Sequence, residues 1–128
     1  MSDIPNLYCK VYVDSQAKKG QLLDLLARMI SGMIKMRTLT SPDLQIDLVV
    51  NEDFDEAKRL SKQDQFLFYR YYLDVEPTEG VALEQYVRSV GVLLEGLWQS
   101  GCKAVAACDF ESKLPRSGGY NSPLAEQM

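Results

Sequence analysis

The hydrophobic period of the chain switches between two and about 3.6 residues, and the order of those switches restricts the fold more than any motif does. Residues 7–14, LYCKVYVD, place Leu7, Cys9, Val11 and Val13 on one side and Tyr8, Lys10, Tyr12 and Asp14 on the other, the pattern of a half-buried strand. From Ser15, a candidate N-cap, to Ile34 the apolar residues Leu22, Leu25, Leu26, Met29, Ile30 and Met33 recur at three- and four-residue steps, which predicts an amphipathic helix. Pro42 in MRTLTSPD prevents its continuation. LQIDLVV, residues 44–50, returns to period two with Leu44, Ile46, Leu48 and Val50 inward. FLFYRYYLDVEP, residues 66–77, is the longest predicted strand and is rich in the aromatics that strands favour. A second helical stripe follows (Leu83, Tyr86, Val87, Val90, Leu94, Leu97, Trp98), and KAVAACDFE, residues 103–111, is the last predicted strand.

The order β-α-β-β-α-β, with right-handed crossovers, predicts an α+β protein of ferredoxin-like type: a four-stranded antiparallel sheet with two helices on one face. The 128 residues suit one domain, read as 1–112, with a tail over 113–128 marked by Pro, Gly and Ser. Between the second and third strands lies NEDFDEAKRLSKQDQ, residues 51–65, a charged segment expected to be a solvated connection with helix formers at Glu56 and Lys58 to Leu60.

The chain contains no histidine. That excludes Ser-His and Cys-His nucleophile activation, removes the imidazole general base, and leaves few donors for a transition metal. A net charge of −4 disfavours nucleic acid, whose phosphates call for Lys and Arg in excess, and suits a basic partner. No apolar run has the length of a membrane span. The first ten residues, MSDIPNLYCK, lack the basic start and apolar core of a secretion signal, so a cytoplasmic location is expected. Cys9, Cys102 and Cys108 are odd in number and form no C-x-x-C, and are read as small core residues rather than a disulfide framework or zinc site.

In the expected topology strands three and four run parallel on either side of strand one, so the acidic endings Asp74/Glu76 and Asp109/Glu111 emerge at one edge, roughly 10 Å apart. Alternation assigns Leu67, Tyr69, Tyr71, Leu73 and Val75 to the helix side, and Phe66, Phe68, Arg70, Tyr72, Asp74 and Glu76 to the open side. Tyr8, Lys10, Tyr12, Asp14, Gln45, Asp47, Asn51 and Lys103 join the open side. Paired carboxylates could act as acid and base, but an uncovered sheet keeps them hydrated and nothing beside them supplies a nucleophile or oxyanion donor. As ligands for Mg²⁺ or Ca²⁺ the pairs stand too far apart for one ion, and no D-x-D-x-D-G loop occurs. Neither a catalytic nor a metal-binding residue is therefore assigned, and no cofactor is expected. RNA-binding sheets also display aromatics, but the basic glycine–aromatic motif of that class is missing. A protein-recognition face fits best, since Tyr, Phe and Arg are what such faces enrich. A structural alternative for Asp74 and Asp109 is to accept backbone N–H bonds where their strands end.

Residues 68–115, through YYLDVEP, LLEGLWQSG and KAVAACDFESKLP, resemble the small immunity proteins that accompany bacterial polymorphic toxins of the Rhs, contact-dependent and type VI-delivered kinds. The first half, residues 1–50, matches them only as a strand and a helix. The resemblance implies a non-enzymatic inhibitor that binds and neutralises one cognate toxin domain. The candidate partner-binding residues, taken from the open side and the charged connection, are Asp74, Glu76, Asp109, Glu111, Arg70, Tyr72, Tyr12, Glu52, Asp53 and Asp55. The alternative is a ferredoxin-like ligand-binding or regulatory domain that forms a homodimer through its sheet.

Overall fold

A computed structural model describes residues 7–35, 38–60 and 65–119. Its elements are β1 (Cys9–Asp14), α1 (Lys19–Ile30), β2 (Met33–Lys35), β3 (Thr38–Thr40), β4 (Leu44–Val50), β5 (Tyr71–Pro77), α2 (Leu83–Gln99) and β6 (Lys103–Ala107), with short 3₁₀ turns at Lys58–Leu60, Gln65–Phe68, Glu111–Lys113 and Pro115–Gly119. The strands form one antiparallel sheet of order β2-β3-β4-β5-β1-β6. The α+β class is as expected. The sheet has six strands among the described residues rather than four, because a hairpin, β2–β3, extends it beyond β4.

The extra hairpin comes from the end of α1. The helix stops at Ile30 instead of running to Ile34: Ser31 takes the left-handed conformation at φ 53°, and the Gly32 N–H closes on the Ala27 carbonyl at 2.9 Å. A Cβ on Gly32 would stand 3.0 Å from both the Leu39 side chain and the Thr40 carbonyl oxygen, so only glycine lets the chain turn this tightly into β2. Met33, expected on the apolar stripe of a helix, and Ile34, expected at its end, lie exposed in the edge strand instead.

The core lies between the sheet and the two helices, which pack on each other. Cys9, Val11 and Val13 of β1, Leu44, Ile46 and Leu48 of β4 and Tyr71, Leu73 and Val75 of β5 all point into it, as their period of two predicts. Val50 does not: it is exposed at the end of β4. Leu22 and Leu26 of α1 meet Tyr86, Val90, Leu94, Leu97 and Trp98 of α2 in the same cluster. Polar tips within it are satisfied by backbone carbonyls. The Tyr86 hydroxyl donates to Leu7 O at 2.5 Å, Tyr71 to Ala17 O at 2.6 Å, and the Trp98 indole N–H to Ala104 O at 3.0 Å. No helix among the described residues is long and apolar enough to cross a membrane.

The predicted strands at 66–77 and 103–111 are both shorter than alternation suggests. Residues Gln65–Phe68 form a 3₁₀ turn, which leaves Leu67 exposed rather than inward, and β5 begins only at Tyr71. β6 ends at Ala107, and the chain then bends into the turn at Glu111–Lys113. Residues 113–119, placed by composition in a tail, lie against α2 and β6, with Leu114 buried; residues 120–128 of that tail lie outside the described residues. Gly119 carries the closest of these contacts: at φ +102°, its Cβ position falls 2.5 Å from the Ala104 carbonyl oxygen. Gly119→Ala combines a forbidden backbone angle with a clash against the sheet. It is expected to lower the unfolding free energy by about 3 kcal/mol, read from the urea midpoint.

Candidate functional site

The helices occupy one side of the sheet, and the other side carries the polar half of every alternating strand. β1 contributes Lys10, Tyr12 and Asp14, all half-buried, against buried Cys9, Val11 and Val13. β5 contributes Tyr72, Asp74 and Glu76, and β4 contributes Gln45, Asp47 and Val49. Register turns these into rows. Across the middle run Thr38, Asp47, Asp74, Lys10 and Ala107; the next row holds Val49, Tyr72, Tyr12 and Val105. Glu76 sits beside Gln45 one row further along.

Two carboxylates, Asp47 and Asp74, therefore face each other directly across a strand pair, an arrangement that opposes folding unless other groups compensate. Both have neutral donors: Thr38 Oγ donates to Asp47 at 2.7 Å, and the Tyr8 hydroxyl donates to Asp74. Burial, then the hydrogen bond to Asp74 and its charge, pushes the Tyr8 hydroxyl well above the ordinary tyrosine range, so it stays protonated as a donor. Lys10 is the cation of the row, and its ammonium lies 4.1 Å from the Tyr72 ring centre and 5.1 Å from that of Tyr12. The two rings stand 6.3 Å apart, and Phe66 meets Tyr12 edge-on at 5.3 Å. A half-buried aromatic ridge thus borders an acidic strip.

One end of this face is covered by the connection between β4 and β5. Arg59 reaches from the first 3₁₀ turn to Asp14 at 2.6 Å and also holds Glu56 at 2.8 Å. Arg70 stacks over Phe54 at 4.6 Å, and Lys58 over Phe68 at 5.2 Å. Asn51, expected on the open face, is buried instead: its amide donates to Leu67 O at 3.1 Å and Tyr69 O at 2.8 Å, pinning the two ends of the connection together. At the other end Asp47 and Glu76 are exposed and Asp74 is half-buried among the described residues.

The ten candidate residues separate on this map. Tyr12, Tyr72, Asp74 and Glu76 share the open face. Arg70 belongs to the covering connection, stacked on Phe54. Asp109 is exposed, but it lies in the bend after β6 and not on a strand. Glu111 has turned back to accept the Cys108 N–H at 2.9 Å, a backbone-capping role expected of Asp74 and Asp109 rather than of Glu111. The endings of β5 and of CDFES are therefore not equivalent, since one continues a strand and the other closes a turn. Of the charged connection, Glu52 and Asp53 are exposed, while Asp55 accepts the Ala57 and Lys58 N–H groups at 3.0 and 2.9 Å and caps the 3₁₀ turn. Asp47 belongs to the open side by its sequence pattern, and only the register sets it against Asp74.

Elsewhere the described residues offer less. A groove of about 240 Å³ between the helices holds Asp43, whose carboxylate accepts from Ser89 at 2.7 Å and Gln85 at 3.2 Å. Those bonds, Ser89 first, hold its pKa below the ordinary carboxylate value and tie α2 to the β3–β4 turn. No group of three or more Cys, Asp or Glu side chains among the described residues is gathered as a metal ion would require. The face and its surroundings define an α+β protein whose antiparallel sheet is helix-covered on one side and displays aromatic and acidic side chains on the other. Comparison with protein-family models, with curated proteins and with solved structures finds no match to this chain.

Proposed function

We propose that the protein is a non-enzymatic, cytoplasmic inhibitor of the immunity type, which binds a basic toxin domain through the open face of its sheet and so neutralises it. The observation that carries this reading is the directly opposed pair Asp47 and Asp74, bordered by Tyr12 and Tyr72, with Glu76 exposed beside them among the described residues. Opposed carboxylates on paired strands work against stability, and an incoming cation would relieve them. Tyrosines beside them offer rigid area of the kind that anchors interfaces. A toxin acting on nucleic acid must be cationic where it grips phosphate, and an acidic face suits its occlusion.

The ferredoxin-like relationship forms part of the same proposal: β4-β5-β1-β6 follows the order of that four-stranded sheet, with the β2–β3 hairpin as an addition at one edge. The test is co-expression with the C-terminal domain encoded by the gene immediately upstream. Cells should survive in its presence; death at the rate seen with that domain alone, or a neighbouring gene that encodes no toxin, overturns the reading. The alternative of a regulatory or ligand-binding domain dimerising through its sheet is favoured by the same uncovered face. It predicts a dimer of the isolated chain in sedimentation that Tyr72→Ala dissolves.

A further inference from the structure

Beneath the opposite side of the sheet, where β1 meets the end of β6, two thiols come together. The antiparallel register sets Lys10 against Ala107, and Cys9 and Cys108 are the next residue of each chain segment beyond that last pair. Both belong to the core side of the sheet: Cys9 is fully buried and Cys108 is half-buried, packed against the same cluster. Opposed residues on antiparallel strands have Cα atoms about 4.5 to 5.5 Å apart, inside the range of about 4.4 to 6.8 Å that a disulfide spans. The Cys9 thiol is close enough to the Cys108 sulfur to act on its titration as a hydrogen-bond donor would, and the Phe110 N–H acts on that same sulfur.

We propose that Cys9 and Cys108 form a reversible oxidation site, in which a peroxide closes a disulfide between β1 and the end of β6. The donors around Cys108 fit it for the first step. The bond from Cys9, assisted by the one from Phe110, draws its thiol below the ordinary cysteine range, whereas Cys9 is held far above that range by the same bond and by burial. Cys108 is also the more exposed of the two. Its thiolate attacks one peroxide oxygen, the O–O bond breaks, and hydroxide leaves to be protonated as water, giving a sulfenic acid. The Cys9 sulfur then attacks the Cys108 sulfur, the S–O bond breaks, and the departing hydroxyl takes the Cys9 proton as a second water. Two electrons pass from the thiol pair to each peroxide consumed. Cys102, which precedes β6 at its opposite end, stays reduced and serves as an internal control.

The experiment exposes the folded protein to hydrogen peroxide, then alkylates the remaining thiols in denaturant and measures intact and peptide masses. The expected result is a loss of about 2 Da, a single alkylation at Cys102, a peptide joining residue 9 to residue 108, and reversal by a dithiol. The cross-link should also raise the thermal midpoint by roughly 10 °C, because it closes a long loop in the unfolded chain. In Cys9→Ser the sulfenic acid should persist on Cys108 and be captured by dimedone. Should that variant not fold, Cys102→Ser must still give the same cross-link. Cys9 that remains alkylatable while Cys108 proceeds to sulfinic acid, or a cross-link that includes Cys102, would overturn the proposal.

Discussion

Leu73→Ala is expected to remove about 3 to 5 kcal/mol of stability and to leave little folded protein at physiological temperature. Leu73 is fully buried on β5, the strand that carries the longest ladder of the sheet, and is flanked by Val11 of β1 and Leu48 of β4. Its neighbours lie on rigid strands and under two helices, so the space left by a shortened side chain has little means of collapsing. The cost then approaches the full transfer and cavity contributions together. Urea unfolding measures it: the midpoint should fall sharply while the slope stays constant. A loss below about 1 kcal/mol would show that the interior at this point is loosely packed.

The second large effect concerns the open face. If the open face binds the proposed toxin domain, Tyr72→Ala and Tyr12→Ala are each expected to weaken that binding by about 30-fold, the result of losing an interface anchor worth about 2 kcal/mol. Asp74→Lys should weaken it further and slow association, because it replaces attraction with repulsion at the centre of the acidic strip. Glu52→Lys, on the exposed connection, is the contrasting substitution, with an effect confined to a few-fold change that disappears at high salt. Titration calorimetry at two ionic strengths separates these outcomes. Thermal melts keep the comparison sound, since Tyr12 also packs on Phe66 and its removal costs some stability. Equal affinity for all four variants would place the contact elsewhere on the molecule.

Much of the framework was legible in the sequence because side-chain period records which face of an element is dry. The inward positions of β1, β4 and β5 up to Leu48 follow from alternation alone, and α2 from its three- and four-residue steps. Legibility ended where backbone geometry took over. Met33 and Ile34 continue the apolar stripe of α1 in sequence, yet the left-handed Ser31 and the close approach of Gly32 to Thr40 turn them into an edge strand. A Ser-Gly pair ahead of the alternating Thr38, Leu39 and Thr40 was the available sign of that hairpin. Alternation also ran too far at Leu67 and at Asp109, because a 3₁₀ turn can precede a strand, and a bend can follow one, without breaking the pattern of apolar residues.

The candidate site divides in the same way. That Tyr12, Tyr72, Asp74 and Glu76 share a face is a consequence of strand periodicity and of helices packing on one side only. Pairing partners depend on register, which arises from the packing of whole strands and leaves no local mark. So the opposition of Asp47 and Asp74, the meeting of Cys9 and Cys108, and the diversion of Glu111 to a backbone N–H became visible only in three dimensions. The sequence by itself determined an α+β chain without histidine, acidic overall, with one greasy and one polar side to each long strand. Only the tertiary structure decided which polar residues stand together, because side-chain period specifies a face, whereas contacts across strands are set by long-range pairing.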